Sequence, residues 1–208
     1  MPDGEAVRAI RLILLAGPSG SGKSRLVSAL ACPRVNLDDF YRDEDDPANP
    51  RTTTTVGADE APAVDWDDVG SWDAEAALAA LVSLCRTGTA EVPVYDIATS
   101  RRTGSRTVTL GDAPTFVAEG LFAPDLVPAA RAAGVEMDAL YLDRPRLQTL
   151  FFRFVRDVSE HRKPLPVLVR RGLALFRVEP ALRAHALACG CRPVSMAEAM
   201  RVVRGVRV

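Results

Sequence analysis

Lysine is almost absent from this chain. Of 26 basic residues among 208, only Lys23 and Lys163 are lysines, and the rest are arginines. Histidine and tryptophan are scarce too, with two of each. The four cysteines, Cys32, Cys85, Cys189 and Cys191, show no C-x-x-C spacing, and no histidine is read as a partner for any of them. That excludes the common structural zinc spacings and predicts free, buried thiols in a reducing compartment, with Cys189-Gly190-Cys191 as the one close pair. No apolar run approaches the roughly 18 residues of a membrane span. The apolar stretch near the N-terminus runs straight into a glycine-rich loop, so it reads as structural and not as a signal peptide, and a cytoplasmic location is expected. Internal repeats are absent, and basic residues are not interleaved with aromatics, so nucleic-acid binding is not expected.

What is present fits one globular domain. The chain is 48% hydrophobic and 25% charged, with a net charge of −1, and its length allows a sizeable core. The charge is unevenly spread. Asn36 to Glu75 holds thirteen acids against two bases, and Arg144 to the C-terminus holds fourteen bases against four acids. Solvated faces account for most of these residues, but a basic half can also gather arginines around phosphate groups.

Gly17-Pro18-Ser19-Gly20-Ser21-Gly22-Lys23-Ser24 is a complete G-x-x-x-x-G-K-S loop. The apolar run Ile10–Ala16 precedes it as a buried strand, and Arg25–Leu30 follows with helical spacing. Strand, glycine loop and helix together make a phosphate site: backbone N–H groups converge on an anion, and the helix N-terminus adds partial positive charge. Lys23 then reaches the β/γ-phosphates of ATP, and the Ser24 hydroxyl binds Mg²⁺.

Further along, Arg34–Leu37 reads as a second strand ending at Asp38-Asp39-Phe40-Tyr41, and residues 42–64 as an acidic, Thr-rich loop. Trp72–Arg86 is an amphipathic helix, and the stretches 91–95 and 106–110 form a hairpin around a polar turn. Thr115–Ala118 and Asp138–Asp143 are further buried strands, the first ending at Glu119-Gly120. Pro145 opens a helix to about His161, Pro164 and Pro166 interrupt it, and another helix starts near Val167. The tail after Pro193 is helical as far as Gly205. Alternating strands and helices predict a three-layer α/β/α fold on a parallel central sheet.

In open parallel sheets, ligands bind at the carboxyl ends of the strands. Asp38 is there, placed to accept a proton from an attacking hydroxyl or to hold Mg²⁺, and Glu119 is a second acid for the metal or the substrate. Tyr41, Asp65, Tyr95 and Arg102 lie where an acceptor would bind. Arg153 and Arg156 share one helix face, and with Arg162 and Lys163 they lead into the proline break, as a mobile segment over phosphates would.

These residues, taken in order, resemble the uridine kinase (uridine–cytidine kinase) and phosphoribulokinase group of P-loop kinases. Asp38-Asp39-Phe40-Tyr41-Arg42 is similar to that group's D-x-F-Y segment, which implies that Asp38 is the catalytic base. Val64-Asp65-Trp66-Asp67 resembles the ribose-binding segment, and Pro93-Val94-Tyr95-Asp96 with Ser100-Arg101-Arg102 resembles the nucleoside pocket. Val117-Ala118-Glu119-Gly120 matches the F-E-G strand end, and Arg153–Glu160 resembles the R-x-x-R-D-x-x-E lid helix that clamps ATP. The resemblance spans Gly17 to about Lys163. It implies an ATP- and Mg²⁺-dependent phosphotransferase with a lid over 153–166, in which Gly17, Ser19–Ser24, Arg153, Arg156 and Arg162 hold nucleotide, Lys23 and Arg156 assist transfer, and self-association is expected.

Two departures concern the acceptor and the tail. The group's base-contacting histidine should fall between Tyr95 and Arg102, where Ser100 and its neighbours stand; the histidines are His161 and His185. The last forty residues show no closing strand. The expected activity is phosphorylation of a small-molecule hydroxyl, with a nucleoside as first candidate. A sugar phosphate or vitamin precursor as acceptor, or a non-catalytic ATP-dependent regulator, remain open.

Overall fold

The computed structural model describes residues 10–29, 32–52, 62–159 and 165–205. Its centre is a five-stranded parallel sheet in which β1 (Arg11–Ala16) lies between β5 (Thr115–Glu119) and β6 (Met137–Leu142). Beyond them lie β2 (Arg34–Asn36), beside β5, and β7 (Arg192–Val194), beside β6.

β1 is buried on both faces, and period-two alternation sends its side chains to two different cores. Leu12, Leu14 and Ala16 join Phe116, Ala118, Ala139 and Tyr141 on one side. Ile13 and Leu15 join Val117, Leu140 and Leu142 on the other. The first core is covered by α2 (Ala74–Thr87) and α3 (Ala123–Ala132), the second by α1 (Lys23–Ala29) and α6 (Met196–Val203). This is the three-layer arrangement that the alternation of elements predicts.

α2 begins two residues later than the expected Trp72. Asp73 caps it by accepting from the Ala76 N–H at 3.0 Å, and Gly88 ends it at φ 74° with its N–H on the Leu84 carbonyl. Trp72 is instead a core residue whose indole N–H donates to the Leu37 carbonyl at 2.7 Å. The acidic loop is folded where it is described: Arg51 bridges Val64, and residues 53–61 fall outside the described residues. The hairpin is longer than expected, with β3 (Thr89–Asp96) antiparallel to β4 (Arg101–Thr109) and a register shift at Val94/Tyr95.

α4 (Arg146–Ser159) and α5 (Leu165–Ala188) match the two helices around the proline break. Two elements escape the sequence reading. α3 carries Pro124 and Pro128, which mask its helical pattern. The expectation of no closing strand is corrected by β7, only three residues long with a proline in its centre, which an edge strand tolerates.

The cysteines are free thiols, with Cys191 buried and the other three partly so. Burial pushes the thiols of Cys85 and Cys191 up to about 11. One reading is corrected: Cys189 does have a histidine neighbour. His185 lies one helical turn earlier, with Nε2 3.6 Å from the Cys189 Sγ and 2.8 Å from Asp125. Its i, i+4 spacing on a helix was the signal.

Candidate active site

The glycine loop leaves the end of β1 at the middle of the sheet. Gly17 and Gly22 have φ of 148° and 95°, where a side chain is strained. A Cβ on Gly17 would also press on Leu142 at 3.3 Å, and one on Gly22 would strike the Met196 methyl at 2.9 Å. Ser21 is fully buried, its N–H donates to the Pro18 carbonyl at 3.1 Å, and its Oγ has no partner. Lys23 folds back over the loop, donating from Nζ to the Gly17 carbonyl at 2.6 Å and to Pro18 at 3.4 Å. Ser19 and Ser24 are exposed at the rim. A tight glycine cradle, an orphaned buried hydroxyl and an ammonium group laid on backbone carbonyls fit a triphosphate, which would draw Lys23 off those carbonyls.

Two strands away, β2 passes into a 3-10 turn over Leu37–Phe40. Asn36 sets this turn: its Oδ1 accepts from the Asp38 N–H at 3.3 Å, and its Nδ2 donates to Asp39 at 2.9 Å. Asp38 Oδ1 then accepts the backbone N–H of Leu121 at 3.0 Å, just past β5. Glu119 is 7% exposed and pairs in register with both Leu15 and Asn36, so it lies between the glycine loop and the Asp38 turn. Burial raises the Asp39 carboxyl above its usual range, against the pull of Asn36 and Arg106. Among the described residues no three His, Cys, Asp or Glu side chains form a metal cage. Mg²⁺ bound chiefly through phosphate oxygens and water needs none, and Ser24, Asp38 and Glu119 are the donors available to it.

The acceptor-side residues from the sequence converge on aromatic rings. Tyr41 lies 5.7 Å from Trp66, 5.8 Å from Tyr95 and 5.9 Å from Phe122, centroid to centroid. Its hydroxyl donates to the Trp66 carbonyl, and burial pushes the phenol well up. Asp65 is half-buried in the adjoining turn, where Oδ1 accepts the Asp67 N–H at 3.2 Å. Arg102 is different, because two nitrogens of its guanidinium bond to the protein itself. Nε donates to the Tyr41 carbonyl at 3.0 Å, and Nη2 to the Phe40 carbonyl and Asp73 at 3.1 and 3.3 Å.

Arg153 and Arg156 are three residues apart on α4, whereas Arg162 and Lys163 fall outside the described residues. Sequence reasoning missed a cleft of about 550 Å³ lined by Asp143, Arg144, Pro145, Pro193, Val194 and Ser195. It adjoins the glycine loop, since the Arg144 guanidinium is 3.9 Å from where a Gly22 Cβ would stand. The signal was positional: Asp143-Arg144 follows β6, at the same sheet edge as the loop.

No protein-family model matches the chain, and no curated protein sequence does. Solved structures do. A candidate fructose transport system kinase from Silicibacter sp. TM1040 aligns over 88% of both chains with a TM-score of 0.60 at 20% identity. The chain has the P-loop kinase fold. Two looser alignments are to a candidate uridine kinase from Bacillus stearothermophilus (TM-score 0.46, 23% identity, 73% of this chain and 79% of that one) and to the YGR205w protein (0.49, 15%, 85% and 78%). In this P-loop kinase fold, no helix among the described residues is long and apolar enough to cross a membrane.

Proposed function

We propose that this protein is a Mg²⁺- and ATP-dependent kinase that phosphorylates a hydroxyl of a small molecule, with nucleosides the first acceptors to try. The observation that carries this is the register of β1, β5 and β2. Leu15 and Asn36 both pair with Glu119, and Gly17 and Asp38 each stand two residues further on. Two strand spacings therefore separate the phosphate loop from the carboxylate, about 10 Å of backbone. That gap suits a γ-phosphoryl group and an attacking hydroxyl.

In this reading Gly17–Ser24 cradles the triphosphate, and the cleft between Arg144 and Ser195 takes the nucleotide base. Lys23 and the α4 arginines, Arg153 and Arg156, balance charge on the transferring group, with Arg162 beyond them in a lid over 153–166. Mg²⁺ would neutralise phosphate oxygens from Ser24 and the Asp38/Glu119 side. Asp38 takes the acceptor's proton as the acceptor oxygen bonds to γ-phosphorus and the bond to the ADP oxygen breaks. Its link to Leu121 fixes one carboxylate oxygen and orients the other. Tyr41, Asp65 and Tyr95 bind the acceptor, and Arg102 shapes their pocket.

The test is ADP formation with Mg²⁺ across nucleosides, free sugars, sugar phosphates and pantothenate-like alcohols, with Asp38→Asn as control. Acceptor-dependent turnover that drops about 10²–10⁴-fold in the variant, with nucleotide affinity kept, is expected. Full activity of Asp38→Asn removes the assigned base. Tight ATP binding without turnover for any acceptor favours a regulatory protein that uses ATP as a switch.

A further inference from the structure

Five of the six arginines around the proposed acceptor pocket pair with groups of the protein itself. From Asn36 to Arg106 the chain has fifteen acids, six arginines and no lysine. Arg101 pairs with Asp45 at 2.8 Å, Arg106 lies 3.7 Å from Asp39, and Arg42, whose buried Nε has no hydrogen-bond partner, lies 3.6 Å from Asp46. Arg102 is held by two carbonyls and Asp73, as above, and Arg51 donates to the Glu44 carbonyl at 3.4 Å. The sixth, Arg86, sits in the last turn of α2. The undescribed stretch 53–61 contributes two acids and no base.

The surface these arginines leave is apolar and anionic. Tyr41, Trp66 and Tyr95 are half-buried, and Tyr41, immediately after the Asp38 turn, meets Trp66 and the buried Phe122 edge-on and Tyr95 at a tilt. Asp38 and Asp67 flank the Tyr41 ring closely enough to raise its phenol further, and Asp43 and Glu44 do the same at Tyr95. Carboxylates accept hydrogen bonds from hydroxyls and repel anions, while ring faces take the C–H surface of a sugar or the plane of a base.

We propose that the acceptor is an uncharged polyhydroxylated molecule, a free sugar or nucleoside, held by these rings and carboxylates, and that the pocket rejects phosphorylated and carboxylated acceptors. This rests on the kinase reading and narrows it. Discrimination comes from repulsion as much as from attraction, because an anion bound here would displace an existing ion pair or face the carboxylates of Asp38, Asp67, Asp43 and Glu44.

Two measurements test it. The first compares ATP-dependent phosphorylation within matched pairs: ribose and ribose 5-phosphate, fructose and fructose 6-phosphate, pantothenol and pantothenate. Neutral members are expected to be favoured about 100-fold or more in kcat/KM, the scale of several kcal/mol of like-charge repulsion. Equal or better use of a charged member overturns the proposal.

The second does not depend on finding the right acceptor. With the glycine loop saturated by Mg²⁺ and a non-hydrolysable ATP analogue, inorganic phosphate is titrated calorimetrically. No saturable heat is expected. A saturable site that is lost in Arg106→Gln overturns the proposal even if no acceptor is turned over. The kinase reading fails separately, through failure of the analogue to bind in the first place.

Discussion

The backbone N–H of Leu121 holds Oδ1 of Asp38 at 3.0 Å, and Gly120, immediately before it, has no room for a side chain. A Cβ there would come within 2.7 Å of the Leu37 Cβ and 2.9 Å of Asp38 Oδ1. Gly120→Ala should therefore displace the carboxylate without touching the nucleotide side. The expected result is a fall in turnover of about 10- to 100-fold, the scale of an ångström-sized misplacement, with about 1–3 kcal/mol lost in urea unfolding from overpacking. A variant with unchanged turnover would show that this close contact does not position Asp38.

Lys23→Ala removes the one ammonium group on the glycine loop. Titration with a fluorescent ATP analogue should show affinity reduced at least about tenfold, as for a lost charge-assisted hydrogen bond. Unchanged affinity would contradict the phosphate assignment.

Asp65→Ala should act on the other substrate. Asp65 directly precedes Trp66 and its carboxylate holds the turn there through the Asp67 N–H, so acceptor KM should rise about 10- to 100-fold while nucleotide affinity holds. Steady-state kinetics with each substrate varied separates the two. Equal acceptor kinetics would remove Asp65 from the pocket.

The thiols give a pH prediction. At about 11, Cys85 and Cys191 are about one part in a thousand thiolate at pH 8, against about a quarter for an ordinary thiol. Disulfide-exchange reagents should label them only on unfolding. Since the folded-state values lie above the unfolded one, the contribution of these thiols to stability is complete below about pH 9 and is lost as pH rises towards 11. Labelling kinetics and alkaline denaturation both check this; fast labelling of the native protein would contradict the burial.

The strand–loop–helix unit was legible because three independent signals coincide within twenty residues: an apolar run, fixed glycines and helical spacing. The Asp38 turn and Glu119 were legible by position, at the ends of strands in a parallel sheet. The cleft at Arg144 and Ser195 was not, because its walls come from chain segments fifty residues apart joined only through β6 and β7. Arg102 reads from sequence as a ligand for the acceptor, and in the fold its Nε and Nη2 donate to Phe40, Tyr41 and Asp73. A sequence shows that a cation is nearby, not what neutralises it.

That same arginine ties two separate pieces of backbone together. The β3–β4 hairpin makes no strand pairing with the main sheet, yet Arg102 clamps it to residues 40, 41 and 73, and its own N–H donates to Asp43. The hairpin face beside the Asp38 turn is thus held by contacts within the protein. Its shape is a property of the resting protein, so in the proposed kinase this face would be a preformed template and not one moulded by the ligand.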